Sequence, residues 1–121
     1  MDSISEFDRR AIREVVELQL SAFQRDDAVC AFSLASPGIQ AMFRNPTNFM
    51  NMVRQSYEPA YRPRSVIFED VVVVQGNFTQ PVLLLSPQGV PVRALYLMEH
   101  LADGRWVVNG CYLVAIEGPV V

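Results

Sequence analysis

The second half of the chain closes on Asp103-Gly104-Arg105-Trp106-Val107-Val108-Asn109-Gly110-Cys111. The Asp-Gly pair is a turn signal, and the β-branched and aromatic residues after it are typical of a strand. Further turn signals lie upstream at Gly76-Asn77 and at Ser86-Pro87-Gln88-Gly89. Val66 to Ile116 therefore predict a mainly antiparallel four-stranded sheet, with strands near 65–75, 79–86, 90–101 and 105–116.

The first half has helical periodicity instead. Apolar residues recur at helical spacing from Ile12 to Phe23, and arginine and glutamate occupy the opposite face. Ser5 followed by Asp8 resembles a capping box. We expect a long amphipathic helix over residues 5–24.

Shorter helices follow this long one. Asp26 or Asp27 can cap a second helix, and Ser36-Pro37 opens a third. Asn45-Pro46 breaks the chain, after which a fourth helix has Met50 toward its outer face. The predicted fold class is α+β, with N-terminal helices packed on the sheet.

Composition limits the possible functions. The 121 residues predict a single domain, 1–121, and half of them are hydrophobic, as in a soluble globular protein. The ten basic residues are all arginine and thirteen acids oppose them, so the net charge of −3 argues against nucleic acid. The N-terminus has no export signal, and the apolar runs are too short to span a membrane. We expect a cytoplasmic protein without a membrane segment.

Both faces of the predicted strands are largely apolar. One face is expected to pack on the helices, and the other needs a partner or an extra layer. A homodimer formed through the sheet is the leading interpretation; the alternative is a sheet that tolerates exposed valines.

The order of elements resembles the nuclear transport factor 2-like superfamily, also called the cystatin-like α+β cone. More narrowly, the chain looks like a bacterial domain-of-unknown-function family within it. The segments that carry this resemblance are Gln19-Leu20-x-Ala22-Phe23, Ala35-Ser36-Pro37, Tyr57-Glu58-Pro59-Ala60-Tyr61-Arg62-Pro63, Tyr96-Leu97-Met98-Glu99 and Gly104-Arg105-Trp106-Val107-Val108-Asn109-Gly110-Cys111-Tyr112-Leu113. The resemblance implies a cone-shaped sheet curved around the first helix, frequent dimerisation, and a hollow that different members use differently.

Glu99 and His100 are the candidate catalytic residues, because they are adjacent titratable groups in an apolar strand. Only one of them can face the hollow, since successive strand side chains alternate. A two-residue turn at Asp103-Gly104 places Glu99 on the Trp106 face, and a three-residue loop places His100 there. The alternative is a salt bridge near solvent.

The candidate ligand-binding residues are Tyr57, Tyr61, Arg62 and Tyr96. The resemblance to ketosteroid isomerases within the superfamily implies that the tyrosines could donate hydrogen bonds, although no position here matches their aspartate base. Arg62 and Arg64 can together clamp a carboxylate of a ligand. Alternatively, they pair with acids of the chain, namely Glu58, Glu69 or Asp70.

Gly110 within the last strand indicates a β-bulge, which would turn Cys111 and Leu113 onto the face of Trp106 and Val108. We interpret Cys111 as a core residue. Phosphate-loop and dinucleotide motifs are absent from the sequence, and a single His with two separated Cys does not match a zinc site. No cofactor and no metal are expected.

These observations favour a small domain that binds a small, partly apolar ligand or a protein partner. Two alternatives stay open: an acid/base enzyme of the isomerase or dehydratase type that uses the hollow, and a structural dimerisation module. A ligand-sized hollow with a perturbed acid or base distinguishes the enzyme. The seven Phe and five Met make a filled cone equally possible.

Overall fold

The computed structural model describes residues 4–116. Its helices are α1 (Glu6–Gln24), α2 (Ala28–Ser33), α3 (Pro37–Phe43), α4 (Pro46–Ser56) and α5 (Glu58–Tyr61). Its strands are β1 (Ser65–Phe68), β2 (Val72–Val74), β3 (Asn77–Leu85), β4 (Pro91–His100) and β5 (Trp106–Ala115). The predicted α+β class, with helices before an antiparallel sheet, is confirmed.

The helix α1 begins where its cap predicts. The Ser5 hydroxyl accepts a hydrogen bond from the Asp8 amide at 3.0 Å, which satisfies a donor that the first turn leaves free. Its buried face includes Ile12, Val16 and Leu20 and packs on the inner face of the sheet. The Trp106 indole donates to Asp8 at 3.1 Å and ties the start of α1 to β5.

Side-chain caps also begin the next three helices. Asp27 caps α2, and Ser36 caps α3. Asn45-Pro46 was expected only to break the chain, but Asn45 caps α4 and Pro46 is its first residue. Proline is suited to this position, because a backbone N–H there would have no partner within the helix. The outward position predicted for Met50 is wrong: it is buried, because α4 packs against α2, α3 and α5.

The sheet has strand order β1-β3-β4-β5, and β2 pairs with the same edge of β3 as β1 does. The predicted first strand is therefore split, and the sheet has five strands where four were expected. Pro81 accepts from the Glu69 amide at 3.1 Å but has no N–H to donate. The Gln80 side chain donates to the Glu69 carbonyl at 2.6 Å instead. The gap between β1 and β2 therefore lies opposite Pro81 of β3, where the backbone cannot donate a hydrogen bond.

The strand β5 contains the predicted bulge. Leu97 pairs with Gly110 and Met98 pairs with Val108, so Asn109 is the extra residue. After the bulge, Cys111 pairs with Tyr96, whose side chain lies on the core face. The bulge therefore keeps the second half of β5 turned toward the core.

The apolar interior has two parts. One lies between α1 and the sheet and contains Tyr96 and Trp106. The other lies among the helices and contains Phe23, Phe49 and Val53. Within residues 4–116, no helix has both the length and the apolar character needed to cross a bilayer.

Candidate functional site

A cavity of about 310 Å³ lies between the helices and the end of the sheet. Its walls come from α1, α3, α4 and α5 on one side and from β4 and β5 on the other. Most of the lining is apolar or aromatic. The aromatic members from the helices, from the junction between α4 and α5 and from β4 are Phe23, Phe43, Phe49, Tyr57 and Tyr96.

The bulge in β5 fixes one wall of this cavity. Before the bulge, Val108 exchanges backbone hydrogen bonds with Leu34 and Ser36, at 2.9 and 2.8 Å. At the bulge, the Ser36 hydroxyl donates to the Asn109 side chain at 2.7 Å and also caps α3. The helix α3 is thereby anchored to the bulge, and it presents Ile39 and Phe43 to the cavity.

Tyr96 is the central polar group. Its side chain is fully buried, and within residues 4–116 its hydroxyl has no hydrogen-bond partner. Desolvation is the main reason why the pKa of Tyr96 is well above its ordinary value, and the adjacent Cys111 raises it further. The phenol therefore stays protonated, and among the described residues the only acceptor beside its O–H is the weakly accepting Cys111 thiol.

Two other polar side chains at the cavity are already fixed. The Tyr57 hydroxyl donates to the Cys111 carbonyl at 2.9 Å, which joins the end of α4 to β5. The buried Gln19 amide donates to the Ala31 carbonyl at 3.1 Å. These two groups shape the polar part of the cavity around the free Tyr96 hydroxyl.

The cavity lining has no charged side chain among the described residues. Burial raises the pKa of the Cys111 thiol to about 12, so this residue is a neutral thiol at physiological pH and a poor nucleophile.

Tyr61 and Arg62, both predicted ligand-binding residues, lie outside the cavity lining. Asp26 accepts hydrogen bonds from Tyr61, from Arg62 at 2.6 Å and from Arg54 at 3.2 Å. The Tyr61 hydrogen bond is the first cause of a lowered pKa at Asp26. Arg62, one of the two arginines of the predicted clamp, is thus paired with a carboxylate of the chain itself, and a ligand-binding role for Tyr61 and Arg62 stays a prediction.

Glu99 and His100 lie toward the far end of β4, and neither lines the cavity. His100 pairs with Trp106, which is the arrangement expected for the longer of the two possible loops. The His100 ring is exposed and stacks on the Trp106 ring with centroids 4.2 Å apart. The structure thus does not bring these two residues to Tyr57 and Tyr96, and their catalytic role stays a prediction.

Gln19 and Cys111 were not among the predicted site residues, although both line the cavity. Gln19 had a signal in the sequence, because it is a polar residue at an apolar position of the α1 periodicity. Cys111 had none, since a thiol in an apolar strand is typical of a core.

The family model of a domain of unknown function (DUF4864) matches residues 5–121, and the chain belongs to this family. No curated protein and no solved structure matches the chain.

Proposed function

We propose that this member of the DUF4864 family binds a small, mainly apolar molecule in the cavity between its helices and sheet, with Tyr96 and Tyr57 at the polar end. One observation carries the proposal: a fully buried tyrosine hydroxyl without a partner lines an apolar cavity. Buried polar groups in folded proteins nearly always have a hydrogen-bond partner. A bound molecule would supply the hydrogen-bond partner that the Tyr96 hydroxyl lacks.

The experiment is a titration with N-phenyl-1-naphthylamine, an uncharged dye that fluoresces in apolar surroundings, together with native mass spectrometry for co-purified molecules. Ile39→Trp fills the cavity from α3, where Ile39 is only half-buried. Val29→Trp is the matched control, because Val29 is 69% exposed and lies outside the cavity.

We expect saturable dye binding by the wild type and by Val29→Trp, and none by a folded Ile39→Trp variant. Circular dichroism checks that each variant is folded. Equal dye binding by all three proteins, or no saturable binding and no co-purified molecule for the wild type, would contradict the proposed function.

A homodimer through the outer sheet face is a second proposal. This face carries Ile67, Tyr112 and Val114, which are 56%, 62% and 44% exposed. Exposed apolar side chains that share a sheet face favour a protein partner. The Glu69–Arg93 ion pair at 2.8 Å lies among them and leaves the face without net charge at that point. A second copy of the same face is a compatible partner.

Membership of the nuclear transport factor 2-like superfamily, a single domain over residues 1–121 and a cytoplasmic location are part of the same proposal. The helices before an antiparallel sheet and the cavity between them support the superfamily assignment. The acid/base enzyme is the less favoured alternative, because Glu99 and His100 do not line the cavity.

A further inference from the structure

The inference concerns the chemical class of the ligand, and it rests on the proposed function. About 310 Å³ lies near the lower end of the range of ligand pockets, which is about 300–1,000 Å³. The side chains that shape it include several aromatic rings together with Met42 and Met52. The space therefore suits a compact molecule with at most a few rings or a short hydrocarbon body.

The charge of the lining limits the ligand further. No arginine or other charged side chain lies in the described lining, and the arginines nearest in sequence to Tyr57, Arg54 and Arg62, are paired with Asp26. Burying an ionised carboxylate, phosphate or ammonium group without a counter-charge is far more costly than burying a neutral polar group. The cavity selects against charged ligands.

The hydrogen-bonding pattern defines the polar end of the ligand. The Tyr57 proton is used by the Cys111 carbonyl, and the Gln19 amide is held by the Ala31 carbonyl. The Tyr96 hydroxyl is the buried side-chain group at the cavity that lacks a hydrogen-bond partner among the described residues. A protonated phenol of this kind needs an acceptor, such as a carbonyl or ether oxygen.

We propose that the ligand is an uncharged apolar molecule that presents one oxygen acceptor, of the ketone, ester or ether type, to the Tyr96 hydroxyl. Tyr96 orients the molecule, and the apolar wall from α3 and α4 encloses its body. Fatty acids and other carboxylates belong to the rejected class.

Three probes of nearly the same shape test this proposal by displacement of the fluorescent dye. 4-Phenyl-2-butanone carries the ketone, butylbenzene lacks the acceptor, and 3-phenylpropionate replaces the ketone with a charged carboxylate. The proteins are the full-length wild type, Tyr96→Phe and the control Val29→Trp.

At pH 7, we expect the ratio of ketone affinity to butylbenzene affinity to be roughly 3- to 10-fold higher for the wild type than for Tyr96→Phe, which is the worth of one neutral hydrogen bond. The carboxylate is expected to bind more weakly than both. Tyr96→Phe should weaken ketone binding by this factor and leave butylbenzene binding intact. Val29→Trp should keep the wild-type preference, because Val29 is exposed and lies outside the cavity lining.

Some results would overturn the inference alone. These are carboxylate binding as tight as that of the ketone, or an equal preference for ketone in the wild type and in Tyr96→Phe. In both cases the dye and butylbenzene still bind, so the proposed function stands. If neither the dye nor any probe binds to folded wild-type protein, both proposals fail.

Discussion

Tyr57 and Tyr96 place their phenols at the same strand residue, Cys111, but their hydroxyls differ. Tyr57 donates to the Cys111 carbonyl at 2.9 Å, whereas the Tyr96 hydroxyl is buried without a partner. A buried hydroxyl without a partner lowers stability, and a paired one adds to it. The same Tyr→Phe substitution should therefore have opposite effects at the two positions.

We expect Tyr96→Phe to raise the free energy of unfolding of the ligand-free protein by about 1 kcal/mol, and Tyr57→Phe to lower it by about 1 kcal/mol. Urea titration monitored by Trp106 fluorescence measures both, because Trp106 is the single tryptophan. A loss of stability in Tyr96→Phe as large as that in Tyr57→Phe would contradict the assignment of a free hydroxyl at Tyr96.

Cys111 makes the stability depend on alkaline pH. Burial raises its pKa from 9.0 to about 12 in the folded protein, so the unfolded chain loses this proton first as the pH rises. The free energy of unfolding should then fall between pH 9 and about 12, by at most about 1.4 kcal/mol per pH unit for this group. Cys111→Ala should flatten this decline in urea titrations. An unchanged decline would assign it to other groups, such as Tyr96.

At the scale of elements, the register of β5 depends on one inserted residue. Asn109 is the extra residue of the bulge, and its side chain accepts from Ser36, the cap of α3. Deleting Asn109 makes the strand continuous and reverses the facing of every later side chain. Cys111 and Leu113 would leave the core face, and Tyr112 and Val114 would replace them.

We expect the Asn109 deletion to cost more than 3 kcal/mol of unfolding free energy or to prevent folding, because large core changes have costs of about this size. Asn109→Ala keeps the inserted residue and loses only the Ser36 contact, so about 1–2 kcal/mol is expected. Circular dichroism and urea titration compare the two. Similar losses would mean that the side chain, not the register, is what matters.

At the interruption between β1 and β2, a side chain replaces a backbone donor in the strand pairing. Gln80 donates to the Glu69 carbonyl beside Pro81 and is almost completely buried. Gln80→Met keeps a similar shape but leaves that carbonyl without this partner. We expect a loss of about 1–3 kcal/mol in thermal or urea unfolding, and little change for the control Gln88→Met, because Gln88 is exposed in the β3–β4 turn. Equal losses would contradict this role of Gln80.

Local chemistry explains which elements were predictable from the sequence. Ser5 and Ser36 mark helix starts because a cap acts within three residues, and Gly110 marks the bulge because a strand interior disfavours glycine. The split of the first strand was not predictable, since it depends on which residue of β3 lies opposite Glu69. No pattern within Val71 to Val74 contains that information.

The candidate site was predictable only in part for the same reason. The sequence predicts Tyr57 and Tyr96 as polar groups near a hollow. It does not predict that only the Tyr57 hydroxyl is hydrogen-bonded, because its partner, the Cys111 carbonyl, lies 54 residues further along the chain. Arg62 was predicted to meet a ligand or a nearby acid. Its partner Asp26 lies 36 residues away, at the turn after α1, and sequence spacing cannot indicate such a pair.

At the scale of the whole molecule, the two sheet faces have different environments. The inner face is covered by α1 and contains the buried residues Val82, Ala94 and Tyr96. The outer face carries the partly buried side chains of Leu83 and Leu95 in the same strands. An apolar outer face of this kind is the surface that the proposed homodimer would bury.

We expect the purified protein to have the mass of a dimer in light scattering coupled to gel filtration. Ile67→Glu places a charge on the outer face at a position that is already 56% exposed, so it should give a monomer without unfolding the chain. Val29→Glu, at a 69% exposed position of α2, is the control and should stay dimeric. A wild-type monomer would contradict the dimer. A dimer in both variants would mean that another surface joins the copies. Neither substitution lies in the cavity lining, so ligand binding can be tested separately in each variant.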